Sequence, residues 1–336
     1  MQSLKNGPVE PPRVYPPLFI VGCGRSGTTM FRLMLDSHPD LAIPGESHFI
    51  PDLYRHRRKY MTSGVLDARK LATDIMRTLH VRLWEVPRMA VWRRLETLTR
   101  PGFADVVDAV FFAYADHHGK VRWGDKTPIY VLSVPLLAQL WPTARFIHVI
   151  RDGRDVALSY LAVPWGPSTV WGAARKWRRD VNAGRNAGRA LGPSRYMEIR
   201  YEDLVAQPET VLQAASSFAG LPWHEAMLDY HVGAGDRIEW RDGREFHQGA
   251  TKPPASGARD WRSQMPDADV SIFEAVAGDL LVQLGYERRH TTPPLGLRVQ
   301  GTIRTSAFGA WAMGSRLKKV MSEATGRKKP ASIDRT

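Results

Sequence analysis

Residues 17–29 read PLFIVGCGRSGTT, an apolar run that turns on glycines into three hydroxyl side chains. That order suits a phosphate cradle. Successive backbone N–H groups converge on oxygen at the positive end of the following helix, and Ser26, Thr28 and Thr29 add hydroxyl donors. Against the triphosphatase pattern GxxxxGK(S/T), Gly22, Gly27 and Thr29 fit, but Thr28 stands where lysine is required. Arg25 is the cation of the loop, which implies a donor other than magnesium-bound ATP. The competing reading is a tight strand-to-helix turn that binds nothing. A second marked segment, FIHVIRDGRDVALSY (146–160), brings Arg151 to the end of an apolar run and Ser159 two turns into the next helix. A guanidinium fork and a hydroxyl suit a phosphate. The alternative is an Arg151–Asp155 ion pair at a helix start.

The elements that must carry these residues alternate between strand and helix. Strands are expected at 18–22, 121–128, 144–152 and 195–204, with a short extended run at 41–46. Helices are expected at 30–38, through 65–116 with breaks at Pro87 and Pro101, and at about 130–140, 155–163, 168–190, 208–220, 222–231 and 270–286. Residues 233–266, rich in Gly, Pro, Arg and Trp, read as a long functional loop or flap. This is an α/β chain with a mainly parallel sheet covered by helices on both faces. Ligands of such folds lie beyond the carboxyl ends of the strands, so 23–29, 124–128, 151–159 and 201–204 should share one edge.

The chain has 336 residues, 43% of them hydrophobic, enough for a sizeable core. Cys23 is the single cysteine, which excludes an intrachain disulfide and favours a reducing compartment. No basic segment followed by a long apolar run opens the sequence, so cytoplasm is the expectation. The net charge of +13 raises the question of a nucleic-acid partner. The basic residues are scattered or cluster at 55–59, 175–179 and in the tail from Arg298 to Lys329, as solvated faces do. Residues 1–16, polar and proline-rich, read as a disordered arm.

Taken together, the glycine loop, the RDxRDxxxS segment and RYEDL (200–204) resemble the sulfotransferases that use 3′-phosphoadenosine 5′-phosphosulfate. The resemblance runs from about 18 to 286 and implies a P-loop-like sulfotransferase domain over 17–290, followed by a basic tail at 291–336. It implies that Gly24, Arg25, Ser26, Gly27, Thr28 and Thr29 hold the 5′-phosphosulfate. Arg151 and Ser159 would hold the 3′-phosphate, and Tyr201 would touch the nucleotide. No metal is needed in that chemistry, and Arg25 would stabilise charge on the leaving phosphate. The run 25–47 is similar to the tyrosylprotein-sulfotransferase-like branch and its bacterial relatives. That likeness makes Glu46 the base for an acceptor hydroxyl, with His48 as its rival and His38 as a turn residue. It also sets Lys126 beside the transferring sulfuryl group, unless Asp125 pairs with it.

The flap fits less well. Among Lys252, Arg259 and Arg262 any one could reach the donor, and Asp260 stands where that branch has a lysine before the flap tryptophan. The departure weakens tyrosine as the acceptor and leaves small-molecule, glycan and lipid hydroxyls open. Trp165, Trp171 and Trp177 could line an acceptor cleft or pack in the core. The tail at 295–321 mixes apolar and basic residues and could rest on the inner face of a membrane. The rival functions are a P-loop nucleotide kinase and a basic nucleic-acid or membrane-binding protein without catalysis.

Overall fold

The computed structural model describes residues 15–235, 237–238, 249–254 and 260–290. Strand β1 (Leu18–Gly22) leads into α1 (Thr28–Asp36), β2 (Leu41–Ala42) and α2 (Ile50–Arg55). A small hairpin, β3 (Met61–Thr62) and β4 (Val65–Leu66), precedes α3 (Ala68–Arg77), α4 (Leu79–Arg82), α5 (Arg88–Glu96) and α6 (Phe103–His117). Then come β5 (Arg122–Lys126), α7 (Val134–Leu140), β6 (Arg145–Ile150), α8 (Gly153–Leu161) and α9 (Val170–Leu191). Strand β7 (Tyr196–Arg200) runs into α10 (Tyr201–Ala206) and α11 (Pro208–Ala219), and α12 (Trp261–Gln264) and α13 (Asp267–Gln283) follow.

The main sheet has the order β2-β5-β1-β6-β7. Every pairing in it is parallel, with Ile20 opposite Lys126 and Ile147. Strand β1 is central and buried along its whole length. Alternate residues face opposite sides of a strand, so each side of β1 serves a different core. Phe19 and Val21 join Phe111, Trp123, Trp141 and Phe146 on one face, where Phe19 stacks on Phe146 at 5.3 Å. Leu18 and Ile20 join Phe31, Leu33, Ile147 and Val149 on the other. A sheet covered on both faces explains the unbroken apolar run that LFIV shows in the sequence.

The parallel sheet and most helices match expectation; four local readings need correction. The β3–β4 hairpin was not foreseen, because two-residue strands are too short to show a period. The helix expected near 130–140 is a 3₁₀ turn at Pro128–Leu132 followed by α7. The expected strand 195–204 stops at Arg200, and Tyr201 opens a short helix in place of a turn. Residues 222–231 form only one 3₁₀ turn, Glu225–Met227, opened by the His224 side chain accepting from the Ala226 N–H. Met227 and Tyr230 are buried there, so tertiary burial and not helical propensity sets that segment.

The chain divides into two compact units at Gln264 and Met265. In the second, Glu274 is buried on α13 and accepts from the backbone N–H groups of Arg289 and His290 at 3.0 and 2.8 Å. Gly285 lies just past the helix at φ 77°, as expected of a helix-ending glycine. Residues 1–14 of the arm expected at 1–16, and the tail from 291 onward, lie outside the described residues. Among the described residues no helix is long and apolar enough to cross a membrane.

Candidate active site

Because all five strands run the same way, their carboxyl ends deliver the marked segments to one edge. At the centre, β1 enters the glycine loop and α1 begins at Thr28 with no side-chain cap, so its first N–H groups are left for a ligand. Arg25 and Gly27 both take left-handed backbone, φ 71° and 85°. For arginine this costs free energy, and such strain persists where surrounding structure enforces it. A Cβ on Gly27 would lie 2.3 Å from the Tyr201 ring, and one on Gly24 would lie 2.6 Å from the Tyr160 hydroxyl. Ser26 is buried, and its hydroxyl has no hydrogen-bond partner among the described residues. A buried hydroxyl without a partner, in a loop pressed flat on tyrosines, is what a phosphate cradle leaves for its anion.

Strand β6 ends at Ile150, and Arg151 follows it into the edge. The Arg151 guanidinium lies 4.4 Å from the centre of the Tyr201 ring and 3.6 Å from Asp155. Arg151 is therefore ion-paired at the start of α8, and it also stacks on the tyrosine that closes over Gly27. Burial pushes the Asp155 carboxyl up to about 6, against the pull of Arg151. Ser159, two turns along α8, accepts a 3.0 Å hydrogen bond from Arg25 Nε. The two motifs thus meet side chain to side chain.

Glu46 and Lys126 come from segments 80 residues apart and meet at 2.7 Å. The ammonium of Lys126 also donates to Thr29 Oγ1 at 3.3 Å, so it bridges the carboxylate and the glycine loop. Only 5% of the Lys126 side chain is exposed, against 26% of Glu46. The other carboxylate oxygen of Glu46 lies 2.8 Å from His48 Nε2. Burial alone would raise the Glu46 pKa, but Lys126 and His48 outweigh it and hold the carboxyl well below the usual range. His48, the rival base, is thereby a partner of Glu46. It takes a left-handed φ of 57°, and its ring lies 4.5 Å from that of His80. Asp125 does not pair with Lys126. Neighbours on a strand face opposite sides, and Asp125 is buried, where burial pushes it up to about 6.

Several residues lie where the sequence left alternatives. His38 is a turn residue, its Nδ1 accepting from the Asp40 N–H at 3.0 Å. Trp177 is core, fully buried and donating to the Arg151 carbonyl at 3.0 Å, so it lines no cleft. Trp171 stacks on Arg175, whereas Trp165 is 46% exposed and lies 5.5 Å from the Arg25 guanidinium. Lys252 is exposed, and Tyr230 donates to its backbone carbonyl. Arg262 stacks on Trp261 at 4.9 Å, and Arg259 lies outside the described residues.

Other residues of the site went unrecognised in the sequence. Arg154 is fully buried, paired to Asp152 at 2.8 Å and 3.5 Å from the centre of the Trp261 ring. Trp261 also donates its backbone N–H to Asp155 at 2.8 Å, so α12 is docked on the start of α8. The repeated RD in RDGRD was a signal for this second arginine. Cys23 is buried beside Tyr160 and Asp180, and burial pushes its thiol up to about 12, a structural thiol rather than a nucleophile.

A sulfotransferase family model matches residues 16–225, more than half of the sequence and all of this edge up to β7 and α11. The chain belongs to the sulfotransferase family. It is accordingly an enzyme of sulfuryl transfer, with the P-loop-like fold that the parallel sheet and glycine loop describe. This sulfotransferase is 26% identical to protein-tyrosine sulfotransferase 1 of Danio rerio, over 83% of its own length and 74% of that protein. It is 25% identical to protein-tyrosine sulfotransferase 1 of Homo sapiens, over 84% of its own length and 72% of that protein. Among solved structures, it matches the sulfotransferase domain of the Synechococcus PCC 7002 olefin synthase with a TM-score of 0.56 and 26% identity. That match covers 82% of this chain and 98% of the domain.

Proposed function

We propose that this sulfotransferase takes its sulfuryl group from 3′-phosphoadenosine 5′-phosphosulfate and passes it to an acceptor hydroxyl without a metal. The observation that carries this reading is the Lys126 ammonium, set between Glu46 at 2.7 Å and Thr29 at 3.3 Å. One cation touches both the carboxylate and the loop that suits the donor's phosphate.

The donor supplies an activated sulfuryl group on a phosphate leaving group. The unpartnered Ser26 hydroxyl, the free first N–H groups of α1 and the pinched Gly24 and Gly27 fit its 5′-phosphate. Arg151 and Ser159 suit the 3′-phosphate, with Tyr201 against the nucleotide, and Lys252, Arg259 and Arg262 are the candidates from the flap. Glu46 takes the proton of the acceptor hydroxyl. Arg25 and Lys126 neutralise charge that develops during transfer, where fixed donors act most strongly. A carboxylate held low is a weak base in the resting site, so we infer that Lys126 turns its charge from Glu46 toward the transferring group as transfer proceeds.

The acceptor is a hydroxyl compound. The tyrosine acceptor named for the animal relatives is one candidate, and the exposed Trp165 beside Arg25 offers a flat apolar surface for it or for a sugar. We place the protein in the cytoplasm on the strength of its free, buried Cys23, with peripheral membrane contact through the tail; cell fractionation tests both. The deciding experiment incubates the enzyme with ³⁵S-labelled donor and host extract. Wild type should label a product in the presence of EDTA, and Glu46→Gln should not. Labelling that needs magnesium, or that survives Glu46→Gln, would overturn the corresponding assignment.

A further inference from the structure

Glu46 has no regular structure to hold it. It lies in a loop past β2, while Lys126 is the last residue of β5. Their 2.7 Å contact therefore needs a separate fixing element. One is present immediately behind them. Ser47, the next residue after Glu46, donates its backbone N–H to Oγ1 of Thr127, the next residue after Lys126, at 2.9 Å. The two hydroxyls are 3.3 Å apart. The Ser47 hydroxyl lies 2.8 Å from the Tyr130 hydroxyl, which accepts from the Ile50 N–H at 3.0 Å. Ser47, Thr127 and Tyr130 are all buried.

We propose that Ser47, Thr127 and Tyr130 form a hydroxyl clamp that positions Glu46 and Lys126 for transfer. The proposal rests on the reading of Glu46 and Lys126 as the reacting pair. Consecutive Cα atoms are fixed about 3.8 Å apart, so pinning Ser47 to Thr127 restricts the residue before each. The Ile50 N–H fixes the loop on the far side of His48, and so holds His48 in its left-handed turn against Glu46. Burial keeps the Tyr130 hydroxyl protonated. Its oxygen accepts from Ile50 and shares a further hydrogen bond with the Ser47 hydroxyl, in which either oxygen can donate. None of the three side chains touches the glycine loop in the contacts described above. They act through Glu46 and Lys126 and are positioning residues.

The test follows the Glu46 carboxyl directly. With selectively ¹³C-labelled glutamate, assigned by the resonance lost in Glu46→Gln, its titration reports the groups that face it: Lys126 and His48, with His80 on α4 and Asp125 and Tyr130 behind. Thr127→Val keeps the shape but removes the accepting oxygen. It should move the Glu46 titration up toward the ordinary carboxylate range, and Thr127→Ser should leave it near wild type. Transfer from ³⁵S-labelled donor to host extract should slow about 10- to 100-fold in Thr127→Val, as a displacement of about 1 Å does. The donor KM, and the affinity for adenosine 3′,5′-bisphosphate by calorimetry, should stay unchanged. Should Thr127→Val fail to fold, Tyr130→Phe decides: a raised Glu46 titration supports the clamp, and a wild-type titration overturns it. A folded Thr127→Val with wild-type titration and rate also overturns it. The titration arm stands even if Glu46→Gln retains turnover, so failure of the clamp and failure of the base assignment are separate results.

Discussion

Replacing Asp125 with asparagine should stabilise the protein, and more so as pH rises. Asp125 is fully buried, and neither carboxylate oxygen makes a hydrogen bond among the described residues. The nearby Ser47 and Thr127 hydroxyls favour its charged form, but in no geometry tight enough to count as a bond, and burial dominates. Its pKa rises from 3.8 to about 6. The folded state then holds a proton that the unfolded state has lost, so stability falls as pH climbs between those values. At about 1.4 kcal/mol per tenfold change in proton affinity, the loss is about 2–3 kcal/mol between pH 4 and pH 8. A carboxamide cannot ionise and can donate to a neighbouring hydroxyl, so Asp125→Asn escapes that loss. Glu46 titrates with the opposite sign: its low folded value adds stability above its unfolded pKa of 4.5, and that is lost as pH falls. This contribution is present in both proteins, and only its coupling to Asp125 enters the difference. Urea unfolding of wild type and variant from pH 4 to pH 8 should show the stability difference growing by about 2–3 kcal/mol, equivalent to about 3–4 °C in Tm. A difference that stays flat with pH, or a variant less stable at pH 8, would refute the burial argument.

Gly27→Ala forces a side chain into left-handed backbone and onto the Tyr201 ring. It should cost about 1–2 kcal/mol for the backbone and about 1–3 for overpacking, with donor KM raised at least about tenfold; urea unfolding and donor titration check both. Arg154→Met leaves Asp152 buried without its 2.8 Å partner and should cost about 3–5 kcal/mol, partly recovered by adding Asp152→Asn; thermal melts of the single and double variants measure it. Arg25→Ala removes the donor to Ser159 and the cation of the loop. If Arg25 acts in the transition state, kcat and kcat/KM should fall together, whereas a rise in donor KM alone would confine it to ground-state binding.

The legible parts of the fold were those with a strong local period. LFIV, RFIHVI and the helix at 168–190 announce themselves because buried parallel strands are apolar throughout and long helices repeat their faces. The segment 222–231 did not, because its single turn is set by burial of Met227 and Tyr230, which no local pattern encodes. Within the site, Arg25 and Ser159 were each visible as motif members, yet their 3.0 Å hydrogen bond depends on how β1 and β6 lie side by side. Arg154 was masked by its neighbour: two arginines three residues apart carry the same chemical signal, and only burial separates the one under Trp261 from the one on Tyr201.

By itself the sequence determined the class of chemistry. A glycine loop with Arg25 in place of a lysine at 28, and the RDxRDxxxS segment downstream, mark the chain as a sulfotransferase, since backbone geometry and guanidinium charge are properties of residue type and spacing. It also determined a parallel sheet, and through it the edge where these segments gather. The tertiary structure alone decided the partners. Glu46 meets Lys126 across 80 residues of chain, His48 lies 2.8 Å from the same carboxylate, and Trp177 goes to the core while Trp165 stays at the surface. Such pairings depend on the register of β5 against β1 and on hydroxyls that lock one loop to the next, and distances of this kind exist only once the chain has folded.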